Sequence, residues 1–196
     1  MFYIIGLGNP TPEYFNTRHN VGRLSVEKMG DRVSGDSWKK DNILLSQIKK
    51  MYISKHLVVL LLPEVFMNQS GLITGVLKNK YQSDIENIIV IHDDVDLSFG
   101  SIKVSVGKGH AGNNGVKSII KSLNNNNFTR VRIGIAPVDE QGKKIRPAGG
   151  GALEKFVLRP FSVSQQKKIP EILENVENIL VDLVENGKYF VMNKYN

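Results

Sequence analysis

The sequence contains no cysteine and no long hydrophobic run. Without cysteine there is no disulfide, no zinc–thiolate site and no cysteine nucleophile. No apolar stretch comes near the roughly 20 residues needed to cross a bilayer, and the opening M-F-Y-I-I-G lacks the basic and long apolar segments of a signal peptide. Apolar content of 41% and aromatic content of 8% are ordinary for a soluble fold. We therefore expect a cytoplasmic protein that does not associate with membranes.

Acidic residues are scarcer than basic ones. Asp and Glu number 19 against 26 Lys and Arg, which leaves a formal net charge of +7. This excess favours a polyanionic partner such as nucleic acid, with a generally basic surface as the simpler alternative. Seven basic residues stand beside polar, glycine- and asparagine-rich segments: Arg18, Lys103, Lys108, Lys117, Lys121, Arg130 and Arg132. Because acidic residues concentrate near the C-terminus, we predict a basic face close to those polar segments.

Short apolar strands alternate with segments of helical periodicity. Strands are predicted at 2–5, 57–62, 87–91, 102–106 and 130–135, and helices at 21–33, 70–81 and 116–123. A long amphipathic helix is predicted from Ile169 to Val184, with Ser162 and Gln165 as a capping box and Gly187 as its stop. The pattern predicts an α/β fold of three layers, α/β/α, with a mixed, mostly parallel twisted sheet. A length of 196 residues fits a single domain, 1–196.

Small polar residues occupy the breaks between these segments. In an open α/β sheet, the loops after parallel strands gather at one edge, where residues distant in sequence share a pocket. Five residues are candidates for such a pocket: Asn9, His19, Asn68, Asp93 and Asn114. A histidine, a carboxylate and several carboxamides in one cleft indicate hydrolysis by an activated water.

The residue types suggest two roles in that cleft, proton transfer and binding of the substrate carbonyl. A largely neutral His19 can take a proton from water, and a carboxylate on its other ring nitrogen, for which Asp93 is well placed, would raise its basicity. Asn side chains can hold an ester carbonyl or its developing oxyanion without taking charge. Taken alone, a single histidine in a loop is usually structural or exposed to solvent, and one asparagine there is ordinary turn chemistry.

Other kinds of site have weaker support. The G-L-G after the first strand lacks the third glycine of a dinucleotide-binding loop, since Thr11 stands there. Neither a G-x-S-x-G nucleophile elbow nor a phosphate-binding P-loop is present. The side chains of His92, Asp93, Asp94 and Asp96 would suit a metal, but they are confined to one short segment. A hydrogen-bonded loop, with Asp96 as a turn former, explains that segment equally well.

Five blocks of sequence resemble a known family. They read G-L-G-N-P-x-P-E-Y-x-x-T-R-H-N-V-G, P-x-x-F-M-N-Q-S-G, H-D-D-V-D-L-x-x-G, G-H-A-G-N-N-G-V-K-S-I and R-I-G-I, in that order. Together they resemble bacterial peptidyl-tRNA hydrolases. The resemblance implies a monomeric α/β enzyme of the carboxylic ester hydrolase class, without metal or organic cofactor. It would cleave the ester between a peptide and the 3′-terminal ribose of its tRNA and release both for recycling in translation.

The resemblance also implies a role for individual residues. His19 would be the general base, Asp93 would orient it, and Asn9 would help to distinguish N-blocked from free aminoacyl ends. Contacts to the peptide or to the tRNA acceptor end would come from Tyr14, Phe66, Asn68 and Asn114, and phosphates would be held by Lys103, Lys117, Arg130 and Arg132.

The chain departs from the family pattern at three places. The family's usual G-G-H-N-G is replaced here by G-N-N-G, so the role of a histidine before Asn114 is not carried over to Asn113. Lys108 stands where a small residue is expected. The segment 139–153 is longer than usual, and its glycines lead us to the hypothesis that it forms a lid over the peptide.

Two other functions fit parts of the pattern. A catalytically inactive RNA-binding relative, of the splicing-factor type, would use the basic face alone. A hydrolase of free peptides would leave the excess of basic residues unexplained. Because the five candidate residues are present together, the esterase is the expected function.

Overall fold

The computed structural model describes residues 1–32, 37–141, 143–145 and 149–196. The strands are β1 Phe2–Gly6, β2 Lys39–Asp41, β3 Ser46–Ile53, β4 His56–Pro63, β5 Ile88–Ser98, β6 Ile102–Ser105 and β7 Thr129–Ala136. The helices are α1 Val21–Asp31, α2 Gly71–Asn79, α3 Asn114–Leu123, α4 Gly151–Val157, α5 Val163–Gln166, α6 Ile169–Asn186 and α7 Lys188–Tyr195. None of the helices described is both long and apolar enough to span a membrane.

The strands form a seven-stranded mixed sheet in the order β2-β3-β4-β1-β5-β7-β6. The central strands β4, β1, β5 and β7 run parallel to one another, whereas β2, β3 and β6 pair antiparallel at the two edges. This confirms the predicted mixed sheet with a parallel centre. The carboxyl ends of the four parallel strands consequently meet at one edge.

Helices cover both faces of the sheet. Successive strand residues point to opposite faces, so Ile4 joins one apolar cluster and Ile5 joins the other. The first cluster lies under α1 and α6, and the second lies under α2 and α3. The three-layer α/β/α arrangement is therefore as predicted, and α6 is the predicted long C-terminal helix.

Helix α1 packs unusually close to the sheet at Gly22. A Cβ atom on Gly22 would lie 2.2 Å from the carbonyl oxygen of Ile91 in β5, a distance that no side chain tolerates. The N–H of Arg23 also donates to the carbonyl of Leu7, at 2.9 Å. These contacts fix the start of α1, and the short 3₁₀ turn Arg18–Asn20 before it, over the carboxyl ends of β1 and β5.

Several predicted boundaries were wrong. Strand β5 continues through Ser98, so Asp93 and Asp94 lie within a strand whose pairing shifts register after Asp94. Asp96, expected as a turn former, also lies in β5. Strand pairing outweighed the local preference of aspartate for turns.

The capping box forms at another helix. Ser162 and Gln165 cap the four-residue α5, whereas α6 begins separately at Ile169, followed by a proline suited to the first turn. Gly187 ends α6 with a positive φ of 82°, as predicted. Strands β2 and β3 and helix α7 were not predicted from the sequence.

The loop that follows β7 is only partly described. The predicted lid, 139–153, includes residues 142 and 146–148, which lie outside the described residues. Residues 33–36, at and after the predicted end of the first helix, also lie outside them. Val138 and Lys144 pair as an isolated antiparallel bridge. The remainder of the predicted lid leads into α4, which begins at Gly151.

Candidate active site

A cleft of about 670 Å³ opens at the carboxyl ends of the parallel strands. Seven of the residues expected in the site line it: Asn9, Tyr14, His19, Phe66, Asn68, Asp93 and Asn114. They come from β5, from the loops after the parallel strands β1 and β4, and from the first residue of α3, and all of them line the same cleft. The structure thus joins the five polar candidates in one cavity.

His19 and Asp93 form a direct pair across the cleft floor. Nδ1 of His19 lies 2.9 Å from Oδ1 of Asp93, and both side chains are largely buried. Because a carboxylate only accepts hydrogen bonds, Nδ1 carries the proton, and the lone pair of Nε2 remains on the other side of the ring. His19 lines the cleft, so this basic nitrogen is available to a molecule inside it.

Two opposing influences set the pKa of His19. Burial disfavours the charged imidazolium and lowers the pKa, whereas the charge of Asp93 and its hydrogen bond raise it. The carboxylate prevails, and the pKa of His19 lies above its ordinary value of 6.5. The histidine is consequently a stronger base than a free imidazole.

Asn113 contacts the His19–Asp93 pair, which the sequence did not reveal. Its Oδ1 accepts hydrogen bonds from the backbone N–H groups of Gly115 (3.0 Å) and Val116 (3.1 Å) and so caps α3. This orientation turns Nδ2 toward Asp93, where it donates to Oδ1 at 2.8 Å. The residue in the family's histidine position therefore supports the carboxylate that holds His19. An Asn three residues before an apolar helical run is a recognisable N-cap, but its second partner lies 20 residues away in sequence.

Asn9 is held by Asn20, the residue after His19. Asn20 accepts from the Asn9 backbone N–H and donates to its carbonyl, both at 2.9 Å. The Oδ1 of Asn9 accepts from the N–H of Met67, also at 2.9 Å. These bonds fix the carboxamide, and its Nδ2 makes no hydrogen bond to the described residues. Asn9 therefore presents an oriented donor at the cleft wall.

The remaining walls differ in chemistry. Asn68 and Asn114 are exposed at the beginning of short helical segments, and Phe66 has 49% of its surface exposed. A further wall comes from α4 and the residue that follows it: Leu153, Glu154, Val157 and Leu158. Of these, only Leu153 lies in the segment predicted as a lid, and the sequence did not predict α4 because its first three residues fall in that loop.

The basic face forms on β6, β7 and α3. Lys103 and Arg132 are directly opposed across the β6–β7 pair, so they share a face of the sheet. Arg132 also binds Asp94 through Nε, at 2.8 Å. Lys103 and Lys117 are exposed. The exposed Lys103 and Lys117 can meet an anionic ligand, whereas Arg132 is partly buried and already paired with Asp94.

Arg130 contradicts its predicted role. The side chain is buried at 1% exposure, and its Nη1 donates to the carbonyl of Gly109 at 2.8 Å. Burial, together with the nearby Arg132, lowers the pKa of Arg130 to about 10, so it remains charged at neutral pH. Arg130 cannot reach a phosphate from this position; it supports the loop before α3 instead.

His92 also has a structural position. Its Nδ1 lies 2.7 Å from the backbone carbonyl of Asp93 and therefore donates to it. The ring is completely buried, and burial lowers the pKa of His92 to about 4. In the described parts of the chain, no three His, Asp or Glu side chains are grouped as a metal site would require. The alternative of a metal bound by this segment gains no support.

Comparisons with known proteins identify relatives of the whole chain. A family model described as Peptidyl-tRNA hydrolase matches residues 3–196. The chain is 36% identical to the peptidyl-tRNA hydrolase of Syntrophotalea carbinolica, over 100% of this chain and 97% of the relative. It is also 36% identical to that of Caldanaerobacter subterraneus subsp. tengcongensis, over 100% of both. The crystal structure of peptidyl-tRNA hydrolase from Acinetobacter baumannii superposes with a TM-score of 0.87 at 32% identity, covering 100% of this chain and 94% of that one.

Proposed function

The chain belongs to the peptidyl-tRNA hydrolase family and hydrolyses peptidyl-tRNA, and we propose that a water activated by His19 performs the hydrolysis. The observation that carries this mechanism is the contact between Nδ1 of His19 and Oδ1 of Asp93, which leaves Nε2 as a base inside the cleft. The substrate ester would lie within reach of that nitrogen.

The reaction follows from these positions. Nε2 of His19 takes a proton from a water molecule, and the resulting hydroxide attacks the ester carbonyl. Asp93 stabilises the imidazolium that forms. When the tetrahedral intermediate collapses, the bond to the ribose 3′-oxygen breaks, and the imidazolium returns its proton to that oxygen. Peptide and tRNA leave without a covalent enzyme intermediate.

The carboxamides hold the ester during this sequence. Nδ2 of Asn9 is oriented by the Met67 contact, which supports a hydrogen bond from Asn9 to the carbonyl of an N-blocked aminoacyl group. Asn68 is exposed on the same cleft and would donate to the oxyanion. Tyr14, Phe66 and Asn114 would contact the tRNA end or the peptide. Phe66 in particular offers an exposed ring on which a base can stack.

The acceptor stem would bind across the basic face. Lys103 and Arg132 lie side by side, and Lys117 lies on α3, whose first residue, Asn114, lines the cleft. Phosphate contacts from these residues would bring the 3′ end to His19. We further propose one domain, 1–196, that acts as a monomer in the cytoplasm. The continuous seven-stranded sheet supports the single domain.

One assay tests the proposal. Purified protein is offered N-acetyl-aminoacyl-tRNA, free aminoacyl-tRNA and unlinked peptide at low and at high salt, with His19→Asn as the matched control. We expect selective release from the N-blocked substrate, weaker at high salt because phosphate contacts release counterions, and near-complete loss in the control. RNA binding without release would favour the inactive relative, and cleavage of the unlinked peptide would favour a peptidase.

A further inference from the structure

Arg18 stands next to His19, yet no step of the reaction uses it. Its side chain is buried at 9% exposure and points away from the cleft lining, toward the segment that includes α4 and α5. A buried guanidinium is costly unless its donors are matched. The partners of this residue therefore indicate what it does.

These partners are all in the segment 156–165. Nη1 of Arg18 donates to the carbonyls of Phe156 (3.3 Å) and Arg159 (3.1 Å), and Nη2 donates to Oε1 of Gln165 (3.2 Å). The guanidinium carbon lies 4.5 Å from the centre of the Phe156 ring. The backbone joins this contact, since the N–H of Arg18 donates to the carbonyl of Arg159, and Thr17 forms a bridge with Pro160.

Helix α4 is short and has no side-chain cap to stabilise its first turn. It has seven residues, and its N-cap residue Gly150 has a positive φ of 65°. None of its residues is fully buried, although Leu153, Phe156 and Val157 pack against the core under α1 and α6. An isolated helix this short is unstable in water. Arg18 adds a second donor to the carbonyl of Phe156, which also accepts from the N–H of Arg159, and binds the carbonyl of Arg159 just beyond the helix, where acceptors are left by the helix end.

The wall that α4 gives to the cleft suits a peptide better than RNA. It presents Leu153, Val157 and Leu158 together with the carboxylate of Glu154, and no Lys or Arg of the described chain lines the cleft. Phosphates would avoid a carboxylate and an apolar surface, whereas a peptide chain can pack on both. The basic residues Lys103 and Lys117 lie on β6 and α3, away from this wall.

We propose that Arg18 is a positioning residue that holds α4 as the wall for the peptide part of the substrate. The proposal rests on the function given above. It joins the peptide wall to the turn that carries the catalytic base, because residues 18 and 19 are neighbours in one 3₁₀ turn. The main effect of Arg18 is therefore expected on the KM of substrates with longer peptides.

Two substrates separate this role from proton transfer: tRNA carrying N-acetylglycine, which is too short to cover the wall, and tRNA carrying an N-acetylated tetrapeptide. In Arg18→Met, which keeps an unbranched apolar chain but no donor, we expect KM for the tetrapeptidyl substrate to rise about tenfold, the equivalent of one charge-assisted hydrogen bond. The kcat for N-acetylglycyl-tRNA and the midpoint of its pH profile should stay within about twofold of wild type. Arg18→Lys, with one retained donor group, should recover part of the KM.

Arg159→Met is the matched control, because the exposed Arg159 side chain supplies a similar charge beside the wall. Its KM ratio between the two substrates should equal that of wild type.

Hydrogen exchange on folded Arg18→Met should show faster exchange at 153–159 and unchanged exchange in α1. Equal KM increases for both substrates, or no change in exchange at 153–159, would overturn the proposal. If the wild-type protein releases neither peptide, the proposed function fails instead. If Arg18→Met does not fold, the same KM test is made with Phe156→Leu, which removes the stacked ring.

Discussion

Asn113 donates its side-chain amide to Oδ1 of Asp93 at 2.8 Å, the same oxygen that His19 contacts. Two donors on one carboxylate oxygen hold it in place and stabilise its charge. The family's usual histidine at this position is thus replaced by a residue that can donate to Asp93 at any pH.

Asn113→Asp separates the two tasks of this residue. Aspartate can still accept from the N–H groups at the start of α3, but it cannot donate to Asp93, and two carboxylates in contact cannot both stay ionised. We expect kcat to fall about tenfold, in line with the loss of one hydrogen bond to a charged group, with a melting temperature close to wild type. Asn113→Ala should lower both quantities. The measurements are single-turnover release from N-acetyl-aminoacyl-tRNA and thermal unfolding; an unchanged kcat in Asn113→Asp would contradict a role on Asp93.

His19→Ala should reduce kcat by about 10² to 10⁴, the usual contribution of general acid–base catalysis, with little change in tRNA affinity. In wild type, only the neutral imidazole can take a proton, so the rate should rise with pH and level off above the pKa of His19. Because that pKa is raised, the midpoint should lie above 6.5. A flat pH profile in wild type, or near-normal kcat in the alanine variant, would exclude His19 as the base.

Asp93→Asn removes the influence that raises the pKa of His19 while burial, which lowers it, remains. The midpoint of the pH–rate profile should therefore move to lower pH than in wild type. At the same time, the plateau of kcat should fall, because the imidazolium formed during the reaction loses its counter-charge. A lower plateau with an unchanged midpoint would count against direct electrostatic coupling between the pair.

Salt dependence distinguishes surface cations from the buried one. Lys103→Ala and Lys117→Ala should each weaken tRNA binding and reduce the slope of log K against log salt concentration by about 1. Arg130→Met should leave that slope unchanged and lower the melting temperature, since Gly109 loses its donor. Binding titrations at several salt concentrations measure the slopes. A reduced slope in Arg130→Met would show that Arg130 does contact a phosphate, as the sequence predicted.

His92 predicts a dependence of folding stability on pH. Its folded pKa of about 4 lies below the unfolded value of 6.5, so the unfolded chain takes up a proton first as pH falls. Above pH 6.5, neutral His92 contributes about 3 kcal/mol to the free energy of unfolding. This contribution is lost as pH falls from 6.5 through 4. His92→Asn can keep the donor to the Asp93 carbonyl without titrating. Urea unfolding at pH 7 and pH 4.5 should show a smaller stability loss in the variant; equal losses would refute the assignment.

Periodicity and motif order were sufficient for the three-layer architecture and for seven of the residues that line the cleft, but not for the α4 wall. Asn9 and Asn68 follow the parallel strands β1 and β4, whose carboxyl ends meet at one edge, and Asn114 begins the helix α3. Local patterns could not predict that the Arg130 side chain is buried. Alternation along a strand shows to which face of the sheet a side chain points, but not which other elements pack on that face. Strand β3 contains the adjacent lysines Lys49 and Lys50, and its apolar residues neither alternate strictly nor form a continuous run, so it lacks the patterns that marked the other strands. The second bond of Asn113 depends on a contact between distant elements, which no local pattern encodes.

The close packing of α1 at Gly22 has a consequence for how the enzyme can vary. A methyl group at this position would push the helix away from Ile91, and the turn that carries His19, three residues earlier, would move with it. Displacements of about 1 Å in a catalytic group can cost about 100-fold in rate. Gly22, a residue without a side chain, thereby sets the distance between His19 and Asp93 and limits which sequences can keep that contact.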